Sequence, residues 1–156
     1  FQIMGDWAKG EFTAAGKVPG VDYYCAPTPS NNGYLYNVDS FIFYKTSDPE
    51  KQEGQKLLAK LMMGKNFQKV FNLYKGSIPA RLDVSMDEFD KCAKTSNSDI
   101  KTAGASGGLV PSFAHGMAQG NTMKAALQDV ITEHFNSDMS SVDAANALAD
   151  SVLDNM

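Results

Sequence analysis

The 156-residue sequence holds one tryptophan, two cysteines and two histidines. It carries little excess charge: 14 Lys and Arg stand against 18 Asp and Glu, a formal net charge of -4. Each shortage closes off a class of function. Without a basic stripe the chain lacks the electrostatic footprint of a nucleic-acid binder. No apolar run reaches the ~20 residues that a helix needs to cross a bilayer. Two cysteines without CxxC spacing and two separate histidines supply no metal-ligand cluster. Neither a phosphate loop nor a nucleophile motif is present. Cys25 and Cys92 suit either one disulfide or two buried thiols. The sequence opens on Phe1, with neither an initiating Met nor a signal peptide, which reads as a processed, cut or partial chain.

The length suits one domain. Residues 1–4 read as a strand. Asp6 can cap a helix over about 7–15, closed by Gly16. Residues 20–29, "GVDYYCAPTP", are β-rich and end in prolines; a polar connection follows at 30–34. "LYNVDSFIFY" at 35–44 reads as a strand. Ser47-Asp48-Pro49-Glu50 starts a helix that runs to residue 63, with Leu57, Leu58, Leu61 and Met62 as its apolar stripe and Gly64 as its stop. A second helix over about 66–74 places Phe67, Val70, Phe71 and Tyr74 on one face. "KGSIPAR" at 75–81 reads as a rigid turn. Ser85 and Glu88, three apart, form a capping box that opens a helix containing Cys92. The Ser-, Gly- and Thr-rich stretch 95–108 reads as a loop, and "LVPSFAHGMAQG" as irregular. Two amphipathic helices, about 122–135 and 142–153, close the chain. There is no internal repeat. Strands alternating with helices predict an α/β layer architecture.

Four residues stand out as candidates for binding. Trp7 sits at a strand-to-helix junction beside Gly5. It either fills a core or offers a flat apolar platform with one indole hydrogen-bond donor, which suits a pyranose face. Asp39 interrupts an apolar run; it either faces water or accepts bonds from hydroxyls. Lys75 either complements the end of a helix dipole or donates to sugar oxygens at a cleft edge. Arg81 suits that part less, because its fork matches carboxylate or phosphate. His115 precedes a glycine in an irregular segment, and a neutral imidazole both donates and accepts. His134 falls inside a helix. Glycoside hydrolysis needs two carboxylates at a set separation, and only one is placed in a cleft-like setting.

Taken together, "MGDWAKGEF", "NVDSFIFYK", "KNFQKVFNLYKGSIPAR" and "VPSFAHG" resemble the extracytoplasmic sugar-binding proteins of bacterial ABC importers. The family is the extracellular solute-binding proteins of family 1, and the likeness is to its glucose/mannose-binding type. The segments occur in the family's order over almost the whole chain. Members are far longer, and these segments belong to their C-terminal part. The resemblance implies a two-lobe periplasmic-binding-protein fold (type II, maltose-binding-protein-like). In it, residues 1–34 and 84–156 belong to the second lobe and 35–83 to the first, with hinge crossings near 30–36 and 80–85. A sugar-binding set of Trp7 and His115 on one cleft wall, and Asp39 and Lys75 on the other, follows from the resemblance. So does a Cys25–Cys92 disulfide that braces the second lobe without locking the hinge.

The implied function is capture of a monosaccharide (glucose, or else mannose or galactose) by cleft closure and delivery to ABC permease membrane subunits. The setting is periplasmic and soluble. No cofactor, metal, nucleic acid or bond-breaking step is implied. The alternatives are the same fold with an oligosaccharide or another small solute, or a carbohydrate hydrolase that pairs Asp39 with an acid from the missing N-terminal portion. A chain without that portion is expected to expose sheet edges and to be poorly soluble alone.

Overall fold

The starting signal at Asp48 is realised in the structure. The Asp48 carboxylate accepts the backbone N–H groups of Glu50 and Lys51, Pro49 takes the first helical position, and helix α2 follows over Pro49–Met62. The computed structural model describes residues 1–29 and 33–156. Before α2 come a 3₁₀ turn at Asp6–Ala8, helix α1 at Lys9–Ala14 and strand β1 at Tyr34–Tyr36. After it come α3 (Lys65–Lys75), α4 (Lys91–Ala105), strand β2 (Leu109–Pro111), α5 (Asn121–Asn136) and α6 (Ser141–Asp154). The first hinge candidate falls partly on residues 30–32, outside the described residues.

The described chain divides into two compact units: Phe1–Tyr34 with Val38–Leu109, and Leu35–Asn37 with Val110–Met156. In the first, α1 packs on α3, α2 packs on α3, and the 3₁₀ turn packs on α4. Its buried apolar side chains include Met62, Val84, Phe89, Ala93 and Ala103. The Cys25–Cys92 disulfide is formed in this unit, with Cα atoms 5.7 Å apart. In the second unit α5 packs on α6, with Met123 and Ala144 buried. Ser140 caps α6 by accepting the Asp143 N–H. Strands β1 and β2 form a two-stranded sheet. Tyr34 N–H donates to Gly108 O, and Ser112 N–H donates to Tyr36 O.

Several local expectations are corrected. Residues 1–4 form no strand, and of the 35–44 run only Leu35 and Tyr36 lie in a strand, β1. A strand exists only as part of a ladder, and among the described residues no strand pairs with residues 1–4 or with the run beyond Tyr36. Ile3, Phe41, Ile42 and Tyr44 are accordingly exposed. The 20–29 run contributes only an isolated bridge between Pro19 and Tyr23. The Ser85–Glu88 capping box does not open a helix. Ser85 Oγ instead receives the Asp87 N–H in a local turn, and α4 starts at Lys91 under an Asp90 cap. The stretch 95–108, expected to be a loop, is helical through Ala105. Asp90 at its start, the disulfide at Cys92 and burial of Ala93 and Ala103 override a composition poor in helix formers.

Candidate functional site

"GDWAKGEF" and "KGSIPAR" meet in the first unit, and two glycines decide how closely. A Cβ on Gly10 would lie 2.8 Å from the Lys75 carbonyl oxygen. A Cβ on Gly76 would lie 2.5 Å from Gly10 N and 3.1 Å from the Lys9 Cβ. Gly76 also takes φ +85° to end α3, a conformation that side chains resist. Backbone therefore packs against backbone where α1 crosses the end of α3. That crossing brings the turn carrying Trp7 and the helix end carrying Lys75 into one place.

Lys75 forms an ion pair with Asp39, and its ammonium lies 5.7 Å from the Phe71 ring centroid. The structure thus brings together two of the four predicted residues. Asp39 is exposed on an extended segment that follows β1, rather than on a strand. Trp7 is half-buried in the 3₁₀ turn. A Cβ on Gly5 would collide with the Trp7 ring, so the indole lies back over Gly5. His115 belongs to the second unit and is exposed there. Its Nδ1 shares a 2.7 Å hydrogen bond with the hydroxyl of buried Ser112.

The same unit pairs further residues that the sequence did not single out as binding candidates. Lys9 is only 5 % exposed, and its ammonium binds both Asp90 carboxylate oxygens, at 2.9 and 3.1 Å. A lysine this buried needs such a partner. Asp90 also accepts the Ala93 N–H at 2.8 Å, so one carboxylate caps α4 and pins α1. Asp6 does not cap a helix as expected. Gly5 is the residue preceding the turn, and the Asp6 carboxylate instead accepts the Ser96 hydroxyl at 3.4 Å. Ser96 is in turn 2.5 Å from the Tyr34 hydroxyl. Burial pushes the Asp6 carboxyl above its usual range, against the opposing pull of Lys9, the Ser96 bond and Lys75. The Tyr34 hydroxyl is also raised, first by burial, then by Asp6 and Asp99, against the Ser96 bond. Asp6 and Lys9 lie inside the motif that the sequence flagged. Ser96 and Asp90 lie some ninety and eighty residues away, and nothing local marks them as their partners.

The half-buried indole shares its turn with Asp6, and the same unit holds the Lys9–Asp90 pair and the Ser96 and Tyr34 hydroxyls. The indole can stack an apolar ring face, and the polar groups can exchange hydrogen bonds with hydroxyl groups. These groups suit recognition of a polar ligand. Among the described residues no group of three or more His, Cys, Asp or Glu could hold a metal ion.

Comparison with known proteins points the same way. The chain is 43 % identical over 152 residues to a "probable sugar-binding periplasmic protein" of Brucella suis, a match covering 97 % of this chain and 36 % of that protein. It is 41 % identical over 152 residues to a protein of the same name in Rhizobium meliloti, again covering 97 % and 36 %. A Pyrococcus horikoshii protein named as an ABC transporter extracellular-binding protein is 35 % identical over 132 residues, covering 84 % of this chain and 29 % of its own. The chain spans about a third of the length of the curated relatives it matches, in their C-terminal part. No family model matches it. Two of these relatives are named as sugar-binding proteins and the third as a binding protein of an ABC transporter, in line with the non-enzymatic expectation. Several are named periplasmic, and among the described residues no helix is long and apolar enough to cross a membrane.

Proposed function

We propose that this chain is the C-terminal portion of the periplasmic substrate-binding component of an ABC importer, and that it helps to capture a monosaccharide, with glucose as the first candidate. The observation that carries the reading is the crossing of the Trp7 turn with the Lys75 helix end, together with relatives named sugar-binding. In this reading Trp7 stacks on the pyranose ring, while Asp39 and Lys75 exchange a part of their mutual pairing for sugar hydroxyls. His115 supplies a further donor or acceptor. The lobe division expected from the resemblance, with residues 35–83 apart from 1–34 and 84–156, belongs to the same proposal. So do closure of the lobes on the sugar and delivery to a permease.

Unpartnered apolar side chains support the reading as a portion of a longer protein. Among the described residues no large side chain is fully buried, and Leu57, Leu61, Tyr74 and Phe135 are all exposed. Calorimetric titration of the full-length protein with D-glucose tests the function. Trp7→Ala is expected to weaken binding by about 1–3 kcal/mol, the scale of stacking a flat ring on an aromatic side chain. Absence of sugar binding by the unsubstituted protein would refute the proposal; unchanged affinity in the variant would remove the stacking role.

A further inference from the structure

The sugar contacts proposed above make no use of Asp6, although it is the residue before the stacking ring. The turn Asp6–Ala8 is three residues long, and the residue preceding it gives no side-chain cap. Ala8 N–H donates to Gly5 O at 3.1 Å. The turn runs into α1, whose Lys9 N–H donates to Asp6 O and Trp7 O, and anchors to other elements add to that hold. Two of these lie after Trp7: the Lys9–Asp90 pair and the contact of Gly10 with the Lys75 carbonyl. An anchor on the near side of the ring is the Asp6–Ser96 bond.

The protons in this anchor have a definite order. An ionised carboxylate only accepts, so Ser96 must give its single proton to Asp6. Tyr34, 2.5 Å from Ser96 Oγ, then donates to Ser96. The result is a directed chain, Tyr34 to Ser96 to Asp6. It runs from the first residue of β1, across α4, to the residue beside Trp7. Tyr34 is itself fixed by its N–H bond to Gly108 O. Ser96 lies one helical turn beyond Cys92, so the disulfide steadies the element that presents its hydroxyl.

We propose that Asp6 is a positioning residue of sugar capture, acting through the Tyr34–Ser96–Asp6 chain to hold the Trp7 ring in its stacking orientation. This rests on the reading of Trp7 as a sugar platform. The chain touches no sugar, so its loss should loosen the ring and weaken binding while leaving the fold in place.

The test is calorimetric titration of the full-length protein with D-glucose, D-mannose and D-galactose, with the melting temperature of each variant measured alongside. Ser96→Ala and Tyr34→Phe each remove one link and keep the packing. Each is expected to weaken the best-bound sugar about 3- to 10-fold, the worth of one hydrogen bond. The double variant is expected to be no weaker than Ser96→Ala, because both changes break the same chain. Ser96→Thr, which keeps the hydroxyl, should restore affinity. Asp6→Asn should weaken binding in the same range; if it fails to fold, Ser96→Ala and Tyr34→Phe still decide. Sugar binding by the wild type with unchanged affinity in both hydroxyl variants would overturn the positioning role and leave the proposed function standing. Additive losses, or losses that simply follow a fall in melting temperature, would also overturn it. A wild-type protein that binds none of the three sugars would overturn both.

Discussion

Replacing Gly76 by alanine is a sharp test of the crossing that assembles the site. Two costs add at this position. The backbone is held at φ +85°, where a Cβ meets the following carbonyl, at about 1–2 kcal/mol. The new methyl would also lie 2.5 Å from Gly10 N and 3.1 Å from the Lys9 carbonyl carbon. These are backbone atoms held by α1 and cannot turn aside. Forcing them apart costs about 1–3 kcal/mol on the scale of overpacked cores. A gain of about 0.4–1 kcal/mol from the stiffer unfolded chain offsets a part. The net is a loss of about 2–4 kcal/mol. Gly16 is the internal control, because it has φ +69° but nothing within 4 Å of its Cβ position. Gly16→Ala meets only the backbone cost, about 1 kcal/mol after the unfolded-state gain. Urea unfolding of the two variants, with a shared slope, measures the difference directly. Equal destabilisation of both would refute the tight crossing. So would a Gly76→Ala protein as stable as the wild type.

Removing the Cys25–Cys92 disulfide, which closes a separation of 67 residues, should cost about 4 kcal/mol in the chain-entropy model. Scanning calorimetry of the Cys25→Ser/Cys92→Ser protein should show a clear fall in melting temperature, and a loss below about 1 kcal/mol would contradict the estimate of that model. Asp90→Ala should destabilise more than Lys9→Met, by at least about 0.5–2 kcal/mol, because it uncaps α4 and also leaves the buried Lys9 ammonium unpaired; denaturant midpoints give the ranking. Arg81 and Lys65 hold the Asp83 carboxyl well below its ordinary value of 3.8, so its contribution is present above that value and lost progressively as the pH falls from there through the lowered folded-state value. Asp83→Asn should therefore flatten the acid limb of a stability-against-pH curve, and added salt should shrink the effect because the pair is exposed. Asp6 has the opposite sign. Its raised carboxyl takes up its proton more readily in the folded state, so it disfavours folding as the pH rises above about 3.8, and Asp6→Asn should remove that slope.

The helices with local instructions were legible in advance. Asp48 and Pro49 mark the start of α2, Gly64 marks its end, and the apolar spacing of the last forty residues marks α5 and α6. Helix α4 was not legible, since "TSNSDIKTAGA" reads as loop and the features that hold it helical come from elsewhere. Its cap pairs with Lys9, its first turn is tied to Cys25, and its alanines are buried. The strands were over-read for a related reason: alternation describes a surface that could pair, not the ladder that completes it.

The sequence by itself determined which residue types stand near Trp7 along the chain, where four helices begin or end, and which glycines punctuate the two site motifs. These are local matters of capping, period and backbone freedom. Only the tertiary structure decided that Asp6 reaches Ser96 instead of capping a helix, that Lys9 is buried against Asp90, and that Lys75 pairs with Asp39. Each of these joins residues far apart in the chain. Their partners are chosen by burial, which makes an unpaired charge too costly to keep, and by two glycines that let α1 and the end of α3 meet backbone to backbone.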